Sequence, residues 1–275
     1  MRLYLSVDME GIAGVAHPAQ TFFDAGTDRT DYDRSRGLME GETNAAVEAA
    51  LEAGADEVVV NDSHWTMRNL RAEHLHPAAR LIIGDKPYSM TMGIGRFDAA
   101  AFVGYHAGAG HPTGVIGHTY SGVVLEARVN DVPHNEAGLN ALRLGHHGVP
   151  VVLVAGDDAL AGEVESLLPW AERVIVKRAL AALVAESLSP ERAREAVATG
   201  LGAALGRLDT MRPYHLDPPL RLEVDLRLPI MADYSAVMPG VERIGPRTVA
   251  ARPADAEELY RYFVSVVRMA QVPSV

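Results

Sequence analysis

Leu3-Tyr4-Leu5-Ser6-Val7-Asp8-Met9-Glu10-Gly11 is the stretch from which the rest of the chain is read. A strand-like run, apolar except for Ser6, leads directly into two carboxylates and a glycine turn. Strand side chains alternate between faces, so Asp8 and Glu10 are expected on one side, roughly 7 Å apart along the chain. Two carboxylates that close repel each other unless a cation lies between them. A solvated acidic loop after a strand would carry the same letters, so the remaining chain has to decide between the two.

The 275 residues are 48% hydrophobic, carry a formal net charge of −11 and include no cysteine. That length and apolar content suit one large α/β domain, or a domain with a modest appendage. An acidic chain without a basic stripe disfavours nucleic acid and anionic membranes as partners. Without thiolates there is no disulfide framework, and any metal must be held by His, Asp and Glu. Asp8 and Glu10 interrupt the early apolar run where an export signal would need one, and no run approaches the ~18 residues of a membrane span. The expectation is a cytoplasmic protein.

Outward from the opening strand, a polar stretch from His17 to Asp33 reads as a loop. Residues 35–53 place Leu38, Met39, Ala45, Ala46, Ala49, Ala50 and Leu51 on a helical period, and Gly54 stands where a C′ glycine belongs. Glu57–Val60 is a short buried strand, so strand-helix-strand implies a right-handed parallel crossover. Further strands are expected at 80–84, 99–106, 123–129, 150–155 and 173–176, with Asn130-Asp131 as a turn. Helices are expected from Asn135-Glu136 to Gly148, from Asp157-Asp158 to Leu168, and from Ser189-Pro190 to about Leu208, where Ser caps and Pro fills the first helical position. Composition shifts at Arg212-Pro213. Beyond it, Leu220 to Leu228 alternates apolar with charged residues, followed by a strand near 247–251 and a helix over 254–270. The last helix offers Tyr260, Phe263, Val264 and Val267 either to its own sheet or to an interface. The expected fold is α/β: a mainly parallel sheet flanked by helices over 1–212, with a smaller C-terminal α+β portion over 213–275.

Several of these strands end in residues able to bind metal: Asp8 and Glu10, then His64 after Asn61-Asp62-Ser63, then His106 after Gly104-Tyr105. In open α/β sheets ligands bind at the carboxyl ends of the strands, so these four converge without further assumption. A histidine by itself is more often an ordinary surface or core residue, and His17, His74, His76, His111, His134, His146, His147 and His215 are read that way. His118 follows a glycine-rich loop, where a general acid/base or substrate clamp can stand. Glu136 opens a helix, a place acidic residues take for dipole reasons alone. No GxxxxGK[ST] loop and no G-x-S-x-G elbow is present.

Taken together, Ser6-Val7-Asp8-Met9-Glu10-Gly11-Ile12, Asn61-Asp62-Ser63-His64, Gly104-Tyr105-His106-Ala107, His118, Asn135-Glu136-Ala137-Gly138-Leu139-Asn140, Ala155-Gly156-Asp157-Asp158 and Met238-Pro239-Gly240 resemble the M55 family of metallo-aminopeptidases. The motifs fall in the family's order, nearly end to end. The resemblance implies a two-zinc hydrolase that removes N-terminal D-residues from short peptides, assembled as a ring-like homo-oligomer such as a decamer. It also implies that Asp8 bridges the metals, that Glu10 and His64 complete one site and His106 and Glu136 the other, and that His118 is catalytic and off the metals. A slightly long loop from His106 to His118, and Asn135 in place of a usual small residue, depart from the family pattern and bear on substrate preference.

Charge supports the same arrangement independently. Two Zn²⁺ bring +4, Asp8, Glu10 and Glu136 bring −3, and a hydroxide makes the site neutral. Imidazole and carboxylate ligands suit Zn²⁺, with Mn²⁺ or Co²⁺ as alternatives. Two other functions fit the composition: a different metal-dependent amidohydrolase or phosphoesterase, and a non-catalytic dipeptide-binding protein. No Lys/Arg cluster adjoins the site motifs, which counts against a phosphate substrate.

Overall fold

Strand β1 (Arg2–Val7) buries everything from Leu3 to Val7, as a strand covered on both faces must. In this computed structural model, which describes residues 1–23 and 28–273, it lies near the middle of a seven-stranded sheet. Helix α1 (Thr30–Glu52) crosses from β1 to β2 (Glu57–Asp62), which pairs parallel to β1. Met39, Thr43, Ala46, Val47 and Ala50 form its buried stripe, and Gly54 takes the left-handed conformation (φ +88°) that ends it. The helix begins five residues before the expected Ser35. Asp28 accepts the Thr30 amide, and Asp31 and Asp33 face the positive helix end, so part of the stretch read as a polar loop is a first turn. Residues 24–27 of that expected loop lie outside the described residues.

Strand β3 (Ala79–Ile82) extends the sheet beyond β2, and β4 (Ala99–Tyr105) returns to the other side of β1. The chain then leaves the sheet. Strands β5 (Val124–Val129) and β6 (Val132–Pro133) form a hairpin whose turn residues Asn130 and Asp131 both have positive φ, at 50° and 65°. Helix α2 (Glu136–His146), capped by the Asn135 side chain on the Gly138 amide, leads back to β7 (Val151–Asp157) beside β4. Helix α3 (Asp158–Leu167), β8 (Glu172–Ala181), antiparallel β9 (Val184–Ser187) and α4 (Pro190–Leu205) complete this layer, giving the order β3-β2-β1-β4-β7-β8-β9.

The remaining chain builds a second, antiparallel sheet from β10 (Leu222–Leu226), α5 (Pro229–Ser235), β11 (Val241–Arg243), β12 (Thr248–Ala251) and α6 (Ala256–Ala270). Its order is β11-β12-β10-β5-β6, so the hairpin at 124–133 belongs to it. The two sheets therefore do not divide at residue 212. A cut there would strip β10 of its partner β5, a pairing that joins positions far apart in the chain and leaves no local trace. Tyr260, Phe263, Val264 and Val267 of α6 are buried against this sheet, so the helix covers its own layer. Among the described residues, no helix is long and apolar enough to cross a membrane.

Two glycines fix the relation of β1 to β4 where the order of strands reverses. Gly104 has φ +74°, and a Cβ there would lie 2.1 Å from the Asp8 carbonyl oxygen; one on Gly11 would lie 1.8 Å from that of Tyr105. The backbones are joined by Asp8 N–H to Val103 O at 2.8 Å and Gly11 N–H to Gly104 O at 2.7 Å. A side chain at either position would push apart the two strand ends that carry Asp8 and His106.

Candidate metal centre

β1, β2 and β4 run parallel, so their carboxyl ends open on one rim, and β1/β4 is the switch point of the sheet. Asp8, His64 and His106 follow those ends by one or two residues. Glu10 reaches the same place by a turn. The strand stops at Val7, and Met9 O accepts the Ile12 amide at 3.1 Å, so it is the turn and not strand alternation that aims both carboxylates inward. Glu136 enters from the first position of α2, and His118 from the loop between β4 and β5.

All six residues singled out in the sequence come together. His64 Nδ1 lies 3.1 Å from Asp8 Oδ1 and 2.9 Å from Glu10 Oε2. His106 Nε2 lies 3.4 Å from Asp8 Oδ2 and 3.6 Å from Glu136 Oε1. Asp8 thus turns one oxygen to each histidine. Two groups able to hold a metal result, Asp8–Glu10–His64 and His106–His118–Glu136. His118 stacks on His106 with ring centroids 4.3 Å apart, and its Nε2 is 3.8 Å from Glu136 Oε1. Its side chain is 30% exposed, whereas those of His64, His106, Asp8, Glu10 and Glu136 are at most 5% exposed.

The second partners of the imidazoles set which nitrogen faces inward. His64 Nε2–H donates to Thr21 O at 2.6 Å and His106 Nδ1–H to Ala107 O at 3.0 Å, leaving His64 Nδ1 and His106 Nε2 as lone pairs for a cation. His118 Nδ1–H donates to Ile116 O at 3.0 Å, so its Nε2 is the free end. Ile116 and Tyr120, on either side of His118, hold positive φ values of 52° and 62°. A β-branched residue in that region stores strain of about 1–3 kcal/mol. The Ile116 amide is held by Ala182 O at 2.8 Å, and the Tyr120 amide by Glu136 Oε1 at 2.6 Å, so the loop is clamped at both ends.

The charges are far from their ordinary state. Burial pushes Asp8 upward, but the His106 and His64 imidazoles beside it outweigh burial and hold the carboxyl far below its usual range. Glu10 is likewise raised by burial and lowered further by His64. Glu136 stays above its ordinary value, because burial outweighs the His106 and His118 charges. Against burial, Glu136 and Asp8 raise His106 to about 10, and Glu10 and Asp8 raise His64 well above the usual imidazole value. A divalent cation would take the place of those protons. The donor atoms fit one: Glu10 Oε2 and His106 Nε2 are fully buried without a hydrogen-bond partner among the described residues, and the set is carboxylate and imidazole.

Two residues that hold the site were not singled out in the sequence. Lys177, buried on β8, donates to the carbonyl oxygens of Glu10, Ile12 (3.2 Å) and Val15 (2.6 Å), spending all three ammonium hydrogens on the turn that carries Glu10. A lysine directly after the apolar run Val174-Ile175-Val176, in the same strand, was the available signal. Glu42 of α1 accepts the Ala13 amide at 2.9 Å, while its other oxygen is buried without a hydrogen-bond partner among the described residues. Burial raises it to about 7, against Ala13 N–H, Lys177 and Arg194.

Above the centre is a cavity of ≈ 780 Å³, with Asp8, Glu10, His64, His118 and Glu136 at one end. Phe22, Trp65, Met90, Ile116 and Val264 supply apolar wall. No Lys/Arg cluster adjoins the motifs in the sequence, but the fold brings Lys86 and Arg268 to the cavity wall.

The sequence profile of the M55 peptidases, described as D-aminopeptidase, matches residues 1–265. A D-aminopeptidase of Bacillus subtilis (strain 168) is 40% identical over 275 residues, which is 98% of each chain. The solved structure of the Zn-dependent D-aminopeptidase DppA from Bacillus subtilis, a self-compartmentalizing protease, matches with a TM-score of 0.93 at 38% identity over 100% of both chains.

Proposed function

This chain belongs to the M55 family of D-aminopeptidases, and from that premise we propose that it is a zinc-dependent aminopeptidase removing the N-terminal D-residue from short peptides. The observation that carries the reading is the pair of buried, unpartnered donors, Glu10 Oε2 and His106 Nε2, among three buried carboxylates. In this proposal two zinc ions are held per chain, with Asp8 shared, Glu10 and His64 on one ion, and His106 and Glu136 on the other. Bound zinc would lower the pKa of water toward about 7 and polarise the scissile carbonyl.

The chain's own residues supply the rest. Thr21 O and Ala107 O fix the two imidazole orientations. His118, whose free Nε2 is open to the cavity, is placed to take a proton from the attacking water and pass it to the departing amine. The apolar wall excludes water from the peptide's flanks. A second reading makes His118 a ligand, favoured by its place in one group with His106 and Glu136. A proton carrier off the metals fits its greater exposure better.

The test is the metal content of protein purified without added metal, alongside hydrolysis of matched D- and L-dipeptides. Two ions per chain and turnover of the D-peptide are expected. One ion with full activity would sink the dinuclear centre, and turnover of the L-peptide alone would sink the D-preference.

Assembly as a homo-oligomeric ring, a decamer among the options, and a cytoplasmic location belong to the same proposal. The exposed Leu180, Leu183 and Val184 at the β8–β9 hairpin supply apolar surface for contact between copies, in place of α6. A monomer mass by light scattering would remove the ring.

A further inference from the structure

The cavity wall carries two cations, Lys86 and Arg268, neither of which has a carboxylate within 4.0 Å among the described residues. Lys86 is buried, and its ammonium donates to two uncharged oxygens, Asn61 Oδ1 at 2.7 Å and Asp62 O. An ammonium has three hydrogens, so one remains. Arg268, on α6, is exposed and donates one N–H to the Lys86 carbonyl at 2.7 Å, which ties both charges to one patch of wall. Asp85 lines the cavity as well, yet it forms no ion pair with either within 4.0 Å among the described residues. Burial draws the Lys86 ammonium down to about 8, which still leaves it largely charged at neutral pH. Two cations beside a cavity, one of them desolvated and facing only the more distant Asp62 carboxylate, offer a place for an anion from the ligand.

The patch is also close to the centre. Lys86 holds the Asp62 carbonyl, two residues before His64, which spans at most about 7 Å of chain. In a dipeptide the terminal carboxyl carbon lies three bonds beyond the scissile carbon, within about 4–5 Å of it. Each further residue carries that carboxylate away by up to about 3.3–3.6 Å. We propose that Lys86 and Arg268 bind the free α-carboxylate of the substrate and so restrict efficient hydrolysis to di- and tripeptides. This rests on the aminopeptidase reading and adds to it the ligand group and the length rule.

The experiment compares D-alanyl-glycine with D-alanyl-glycinamide, and a five-residue peptide beginning with D-alanine with its own C-terminal amide. For the unaltered protein, KM should be about 10- to 100-fold lower for the dipeptide acid than for its amide, the worth of a charge-assisted hydrogen bond. For the five-residue pair the ratio should approach one. Arg268→Gln, at an exposed position, and Lys86→Gln should each collapse the dipeptide ratio by raising KM for the acid, with metal content unchanged. Equal KM for dipeptide acid and amide in the unaltered protein would overturn the inference while leaving the aminopeptidase standing. So would an acid preference that persists at five residues, or in Arg268→Gln. Failure to hydrolyse any of the four peptides would sink both.

Discussion

Two clusters of three carboxylates stand on different sheets and are neutralised differently. On the antiparallel sheet, Glu126, Glu223 and Asp225 all converge on Arg128, Glu223 is joined also by Arg221, and Thr248 Oγ–H donates to Asp225. There the chain supplies its own cation. Asp225 is raised by burial and lowered more by Arg128 and Thr248, ending below its ordinary value, and Arg128 is raised in return. At the carboxyl end of the parallel sheet, Asp8, Glu10 and Glu136 meet two imidazoles, and donor atoms are left over. The difference separates a structural cluster from a functional one: a saturated cluster has nothing to offer a ligand, and an unsaturated one demands it.

The largest effect expected on this contrast comes from Asp8. Asp8→Ala removes the carboxylate that faces both histidines, so metal analysis should find both ions depleted and hydrolysis abolished, whereas Glu10→Ala should deplete mainly one. Equal loss of a single ion in both variants would argue that no carboxylate is shared. Next comes His118→Ala. Both metals should stay and kcat should fall by about 10²–10⁴-fold with KM changed much less. Loss of an ion would move His118 into the coordination sphere, and near-normal kcat would remove it from the chemistry.

Glu42 sharpens the contrast, because a proton can neutralise it where no cation is fixed. Its folded-state value of about 7 lies above the 4.5 of an ordinary glutamate. The folded state therefore binds a proton that the unfolded state has released, and the stability this contributes below pH 4.5 is lost as pH rises through 7. At about 1.4 kcal/mol per unit, the loss is roughly 3 kcal/mol. Denaturant unfolding of Glu42→Gln across that range should lack this component, and parallel curves for the two proteins would show that Glu42 does not titrate there. The smallest effect is expected from Arg128→Met, at about 1–2 kcal/mol for a network that is half open to water. Its metal content should be unchanged; a loss of zinc would show that the two clusters are not independent.

Local sequence determined the parallel layer. Apolar runs at β1, β2, β4 and β7, the Ser189-Pro190 helix start and the closing glycines at 54 and 148 each act within a few residues, through side-chain periodicity and allowed φ values. With strands alternating with helices, the strand-end rule was enough to gather Asp8, Glu10, His64 and His106. Packing across the whole chain decided the rest. The start of α1 was hidden by acidic residues that read as loop until they stand in the first turn of a helix. Strand β5 joined the far sheet by pairing with β10, which lies about a hundred positions away. Lys177 reaches Glu10 across 167 residues, and Arg268 reaches Lys86 across 182. Such contacts depend on which faces are buried together once all layers have packed, and a charge in a strand or at a helix end shows only then whether it meets water, a partner or an open cavity.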